Sequence, residues 1–182
     1  MSVLKNKRNE SPMEYVTNGY AIEKYSIDFT KRLSTKSARL YQQPVTRLAM
    51  LQSDLAYMAN EIYPTNRAEY QVRRSLLGVS TAILHVLDKR MADVYENLMV
   101  NPSDAFNRQN GKPIPKAEAI KILDKLSYDL GTMIDKQDSL LKGVRDSDKE
   151  RFSDLPAADP EIANVLSGSV KALVDSFIGL FF

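Results

Sequence analysis

Four stretches of this chain return an apolar residue every three or four positions, and prolines or an Asn-Gly pair stand between them. A period near 3.6 held over that much sequence restricts the chain to packed amphipathic helices. In the first stretch Tyr15, Gly19, Ile22, Ser26, Phe29 and Leu33 alternate spacings of four and three. Ser11-Pro12-Met13-Glu14 precedes them as a start signal. Ser11 is placed as the N-cap and Pro12 at the first helical position, while Ser11 and Glu14 can each satisfy an orphaned backbone N–H. This helix is expected to end near residues 36–41.

Pro44 then suits the first turn of a second helix, whose inward residues would be Val45, Leu48, Leu51, Leu55, Met58 and Ile62. Tyr63-Pro64-Thr65-Asn66 breaks it, because the residue before a proline is pushed out of the α region. Thr65 or Asn66 can cap the third helix, which runs to Asn101-Pro102 with a stripe of Leu76, Ser80, Ile83, Leu87, Val94 and Leu98. Val72, Val79 and Val86 add a seven-residue repeat on its flank, so the helix is either central or shared with another subunit. At a rise of 1.5 Å per residue, about 34 residues make a rod of about 50 Å.

Phe106 to Ile114 changes character around Asn110-Gly111, the pair favoured in a tight type I′ turn. Both a small β-hairpin and an irregular loop fit there. A fourth helix is expected from about Pro115 to about Gly143, striped by Ile120, Leu123, Leu126, Leu130, Met133 or Ile134, and Leu140 or Leu141. Arg145 to Arg151 then reads as a solvated, mixed-charge linker, and Asp159-Pro160-Glu161 as the start of a short helix. The expected fold is all-α: an antiparallel up-and-down four-helix bundle over residues 1–150, with a loop or hairpin between helices 3 and 4. Residues 151–182 form a linker and a C-terminal amphipathic extension.

Composition narrows the chemistry. The 182 residues, 43% of them hydrophobic, suffice for one domain with a core plus an extension. With no Cys there is no disulfide, thiolate nucleophile or Cys-based zinc site, which suits a reducing cytoplasm. No stretch reaches the roughly 18 apolar residues that span a bilayer, and residues 1–10 lack the apolar core of a secretory signal. Di-metal bundles need Glu-x-x-His on facing helices. The single histidine, His85, has no such Glu and falls opposite the Ile83 and Leu87 stripe, so it reads as an exposed or interface residue. Neither a nucleophile elbow nor a phosphate-binding glycine loop occurs. The expectation is a protein with no catalytic centre, metal or cofactor.

Charge is divided unevenly. Residues 1–152 hold 24 Lys and Arg against 19 acids, and residues 153–182 hold one Lys against four. Arg32, Lys36 and Arg39 follow i, i+4, i+7 spacing and would line one flank of the first helix, with Tyr25 one turn back. Lys31, Arg47, Arg67, Arg73 and Arg74 add positive charge near the helix 1–2 and 2–3 connections. Clustered cations neutralise phosphates, and tyrosine can stack on bases. Long basic side chains that merely snorkel along a bundle edge account for the same pattern. The tail places Leu173, Val174, Phe177, Ile178 and Phe181 in a greasy segment with three readings: packing on its own bundle, docking on a partner, or lying on a membrane surface. One lysine and a net negative charge disfavour the membrane.

Certain positions carry a resemblance. Met1-Ser2-Val3-Leu4-Lys5 with Lys7-Arg8, Leu33-Ser34, Ser37-Ala38-Arg39-Leu40, Pro44-Val45 and Leu48-Ala49 are among them. So are Ala59-Asn60, Ile62-Tyr63-Pro64, Asn101-Pro102, Phe106, Gly111-Lys112, Leu130-Gly131 and Ile134-Asp135. Over its first 150 residues the chain resembles the accessory variability determinant proteins encoded beside diversity-generating retroelements. Similar bundles are encoded within ribosomal RNA intervening sequences. The resemblance implies a homo-oligomeric bundle, pentameric in the accessory family, that forms a basic barrel. Such a barrel associates with the reverse transcriptase and its template RNA or DNA during mutagenic cDNA synthesis and has no catalytic centre of its own. Among the candidate cations only Arg39 falls in a matching motif, and the resemblance stops at about Phe152.

Overall fold

The computed structural model describes residues 13–109 and 111–179. Among them the regular structure is all helical: α1 (Glu14–Thr30), α2 (Thr35–Glu61), α3 (Arg67–Val100), a single turn α4 (Pro102–Ala105), α5 (Lys116–Arg151) and α6 (Pro160–Ile178). Helix α1 packs against α2 and α5, α3 packs against α2 and α5, and α6 packs against α3.

The stripes largely face a common core. All six residues of the first stripe are buried. In α2 the inward face takes Val45, Leu48 and Leu55, but Met58 is 40% exposed and Ala56 and Ala59 fill the inner positions instead. Helix α3 buries Leu76, Leu87, Val94 and Leu98, and α5 buries Ile134 and Leu141 in preference to Met133 and Leu140. Val86, on the flank of α3, is 48% exposed.

Cross-helix hydrogen bonds fix the pairing. The Tyr15 hydroxyl at the start of α1 donates to Asn60 Oδ1 at the end of α2 (3.2 Å). Ser80 Oγ of α3 donates to the Gln52 carbonyl of α2 (2.9 Å). A polar layer crosses the core between α1 and α5: Asn18 Nδ2 donates to Gln137 Oε1 (2.9 Å) and Gln137 Nε2 to the Tyr15 carbonyl (2.8 Å). Gly19 makes room for it, because a Cβ there would stand 3.4 Å from Gln137 Nε2 and 3.5 Å from Gln52 Nε2.

Several boundaries differ from expectation. Helix α1 stops at Thr30, not at 36–41, and the chain turns at Lys31–Ser34. Ser34 is the N-cap of α2, its hydroxyl accepting from the Ser37 N–H, and its own N–H donates to the Ala105 carbonyl (2.9 Å). These bonds satisfy a helix start that the continuous apolar stripe had concealed. Pro44 therefore lies inside α2 rather than at its start. The carbonyl that a proline leaves unpaired belongs to Leu40, a residue 59% exposed. The Ser11 and Pro12 start signal lies outside the described residues, and the N-cap of α1 is Met13.

At the third helix Asn66 accepts from the Glu69 N–H (3.0 Å) while the Glu69 carboxylate accepts from the Thr65 N–H (2.7 Å), a reciprocal cap. Asn110 lies outside the described residues; beside it Gly111 has φ +76°, and Gln109 and Lys112 exchange two backbone hydrogen bonds of 2.9 Å, as a tight turn requires. There is no strand among the described residues, so the turn closes a loop and not a hairpin of strands.

The run Arg145–Arg151 is the last part of α5 and not a linker. Asp148 is the reason: it faces inward and ion-pairs with Arg73, while Lys149 and Arg151 complement the helix C-terminus. Phe152 is buried beside Tyr63 and Tyr70, with ring centroids 5.9 and 5.8 Å away. From Pro160 the helix α6 lies along the start of α3. Ala163, Leu166 and Val170 share a cleft of about 460 Å³ with Ala68, Val72 and Ser75. Leu173, Val174, Phe177 and Ile178 belong to α6, and Phe181 lies outside the described residues.

Candidate nucleic-acid interface

The turn after α1 is clamped to the loop before α5. Asn107 N–H donates to the Arg32 carbonyl (3.0 Å), Asn107 Nδ2 to the Lys31 carbonyl (3.4 Å), and Leu33 bridges Phe106. Beneath them the rings of Phe29 and Phe106 meet edge to face at 6.4 Å. This clamp gathers cations that are far apart in sequence. Lys31 and Arg32 come from the link, Lys36 from the first turn of α2, Arg108 and Lys112 from the Asn-Gly loop, and Lys116 from the first turn of α5. All six are exposed. Three carboxylates share this end, Asp28, Asp104 and Glu118, and Asp28 stands 3.6 Å from Lys31.

The predicted cations therefore divide. Lys31, Arg32 and Lys36 sit together, but not on a flank of α1, because Lys36 and Arg39 belong to α2. Arg39 is exposed one turn beyond Lys36, and Arg47 is exposed halfway along α2. Arg67, Arg73 and Arg74 begin α3 at the opposite end, a separation of about 40 Å along the 27 residues of α2. Arg67 Nε donates to the Leu155 carbonyl (3.0 Å) and Arg74 is exposed.

Arg73 is not a surface residue at all. It is 8% exposed. Its Nε lies 2.6 Å from Asp148 Oδ2, and one terminal nitrogen donates to the Ala59 and Ile62 carbonyls at the end of α2. Its guanidinium thus fastens α2, α3 and α5 together. An arginine on the inner face of a helix needs a buried carboxylate, and only the extended α5 supplies one.

Tyr25 is likewise engaged rather than free to stack. Its hydroxyl donates to Asp129 Oδ2 (3.0 Å), and Lys125 Nζ lies 3.0 Å from the same oxygen. Burial first, and the carboxylate second, push the phenol up to about 12. The Lys125 ammonium and the Tyr25 hydroxyl hold Asp129 below its ordinary value. A groove of about 600 Å³ runs past this pair, floored by Phe29, Ile122 and Leu126 and flanked by Lys24, Arg32 and Lys125. His85 is exposed, 3.1 Å from Asp138.

Arg108, Lys112 and Lys116 are absent from the sequence-based candidates. Their place is set by a long-range contact: the bonds from Asn107 to the Lys31 and Arg32 carbonyls bring the cations on either side of Asn110-Gly111 to those after α1. Among the described residues no group of three or more His, Cys, Asp or Glu side chains can hold a metal ion, and no helix is long and apolar enough to cross a membrane. Comparison with protein-family models, curated proteins and solved structures finds no match to the chain.

Proposed function

We propose that this chain is a non-enzymatic accessory factor of a diversity-generating retroelement, and that its basic end contacts RNA, DNA or the reverse transcriptase. The observation that carries the reading is that Lys31, Arg32 and Lys36 lie exposed at the same end as Arg108, Lys112 and Lys116. Six cations there are opposed by three carboxylates, and a surface of that kind attracts polyanions by displacing their counterions.

The helix pairings favour an antiparallel up-and-down four-helix bundle built from α1, α2, α3 and α5, with residues 151–182 as an appended unit. Contacts join the start of α1 to the end of α2, and the start of α3 to the end of α5. The wider assembly follows from the resemblance alone, a homo-oligomer, pentameric as in the accessory family, and a cytoplasmic setting suits the cysteine-free sequence.

The test is RNA binding at two salt concentrations, with particle size read by light scattering. For single strands the slope of log K against log salt is about −0.7 per phosphate neutralised. Reversing charge at Lys31, Arg32 and Lys36 should remove up to three such contacts and flatten the slope by about 2, with helicity intact. An unchanged slope in the triple variant would sink the assignment.

A second reading, a protein-interaction scaffold, is favoured by α6. Ile162 is 52% and Val165 68% exposed, although Ala163, Leu166 and Val170 lie against α3. Truncation after Ala158 removes α6 but keeps Phe152 and the Leu155 and Pro156 contacts to Arg67. Assembly lost with RNA binding preserved would make α6 the assembly device.

A further inference from the structure

At the basic end a smaller cleft, of about 180 Å³, opens between the start of α2, the end of α3 and α4. Its walls bring together Lys36 and Tyr41 of α2, Asn97 and Asn101 at the end of α3, and Asp104 of α4. The Tyr41 ring is half-buried and packed against the core on one side, so it is held in place at the cleft. Asn97 Nδ2 donates to the Asp93 carbonyl (2.7 Å), which leaves its Oδ1 as an acceptor. Asn101 caps α4 without a side-chain hydrogen bond, so its amide is uncommitted to that turn. Asp104 is exposed and forms no ion pair among the described residues.

These groups divide into three kinds: a cation at the rim, an aromatic face, and two side-chain oxygens that accept hydrogen bonds. That set matches one nucleotide of a single strand. A phosphate meets the ammonium, the base lies on the ring, and its edge supplies donors to the acceptors. A base inside a duplex cannot reach such a cleft, because its edge is paired and its faces are stacked. Two acceptors favour an edge bearing an exocyclic amino group, whose two N–H donors can serve both, over an edge with a single ring N–H between carbonyls.

Resting on the nucleic-acid reading above, we infer that this cleft is a base subsite for single-stranded nucleic acid. It takes a base with an exocyclic amino group, which Tyr41 stacks and Asn97 and Asp104 read, beside a phosphate held by Lys36. Uracil can lie on the Tyr41 ring as cytosine does, but it offers the acceptors a single ring N–H between two carbonyls where cytosine offers an amino group with two N–H donors, so cytosine binds more tightly.

The experiment measures fluorescence anisotropy of labelled short oligo(C) and oligo(U) RNA with the full chain at low salt. Oligo(C) should bind about tenfold more tightly, the discrimination expected of one good base contact. Asp104→Ala should erase that preference while leaving the salt slope unchanged. Tyr41→Ala should weaken both oligonucleotides by about tenfold, and Tyr41→Phe, which keeps the ring, should restore them. Equal affinity for the two oligonucleotides, or a preference that survives Asp104→Ala, overturns the subsite while salt-dependent binding still supports the basic end. Binding of neither oligonucleotide by the helical protein overturns both.

Discussion

Arg73 shows how little a residue's type says about its role until its surroundings are known. Its charge is held against Asp148 and two backbone carbonyls inside the protein, so removing it leaves a carboxylate buried without its partner. Arg73→Ala should cost about 3–5 kcal/mol in urea unfolding, the usual penalty for breaking a buried pair. Arg73→Lys should recover only part of it, because an ammonium lacks the planar fork that serves Asp148 and the carbonyls at once. A loss under 1 kcal/mol for the alanine variant would mean that the pair is solvated. Gln52 presents the reverse case: it is fully buried, and neither its Oε1 nor its Nε2 meets a hydrogen-bond partner. Gln52→Met keeps the length and removes the unpaired amide, so it should stabilise the protein by about 1–3 kcal/mol. A fall in thermal midpoint would show that the amide is bonded in solution.

At the scale of elements, the hydroxyl of Tyr25 ties α1 to α5 through Asp129. Its phenol is raised from 10.0 to about 12. The folded state therefore keeps a proton that the unfolded chain releases. That contribution is fully present below pH 10 and is lost as pH rises towards about 12. Tyr15, Tyr20 and Tyr95 are raised as well, the first two chiefly by burial and Tyr95 by its Asp124 hydrogen bond, and they act in the same direction. Unfolding of Tyr25→Phe measured from pH 9 upward, against the parent, isolates the one residue; the variant should lose stability less steeply. Parallel curves would show that Tyr25 titrates alike in both states. The length of α5 follows the same logic of partners. Seven mixed-charge residues are helical to Arg151 because Asp148 has Arg73 to meet.

Taken whole, the molecule carries its cations unevenly from end to end. The exposed cations of the link, the Asn-Gly loop and the first turns of α2 and α5 gather at one end. The other holds Glu61, Glu69, Asp146, Glu150 and Asp154 among its lysines and arginines. A polyanion is therefore expected to engage one end only. Reversing Arg108, Lys112 and Lys116 should reduce RNA affinity as much as reversing Lys31, Arg32 and Lys36, whereas reversing Arg67 and Arg74 should change it less than twofold, about 0.4 kcal/mol. Titration of labelled RNA by each variant checks this, and equal losses from both ends would argue for a diffuse charge effect. The appended α6 adds a second surface, with Ile162 and Val165 exposed above an α3 whose own flank leaves Val86 half open.

The sequence by itself determined the helical class, the core stripes, the capped start of α3 and the tight turn at Gly111. Each depends on neighbours within about one helical turn, where the 3.6 period and cap chemistry act. Tertiary contacts decided where α1 ends, because Ser34 needs Ala105 and Leu33 needs Phe106, some 70 residues away. They also decided that Arg73 is structural and that α5 runs through its charged run, since both depend on one pair joined across 75 positions. The basic end belongs to the same class. Arg32 and Lys112 come to one end only because distant backbone groups hydrogen-bond, and no local periodicity encodes a meeting of that kind.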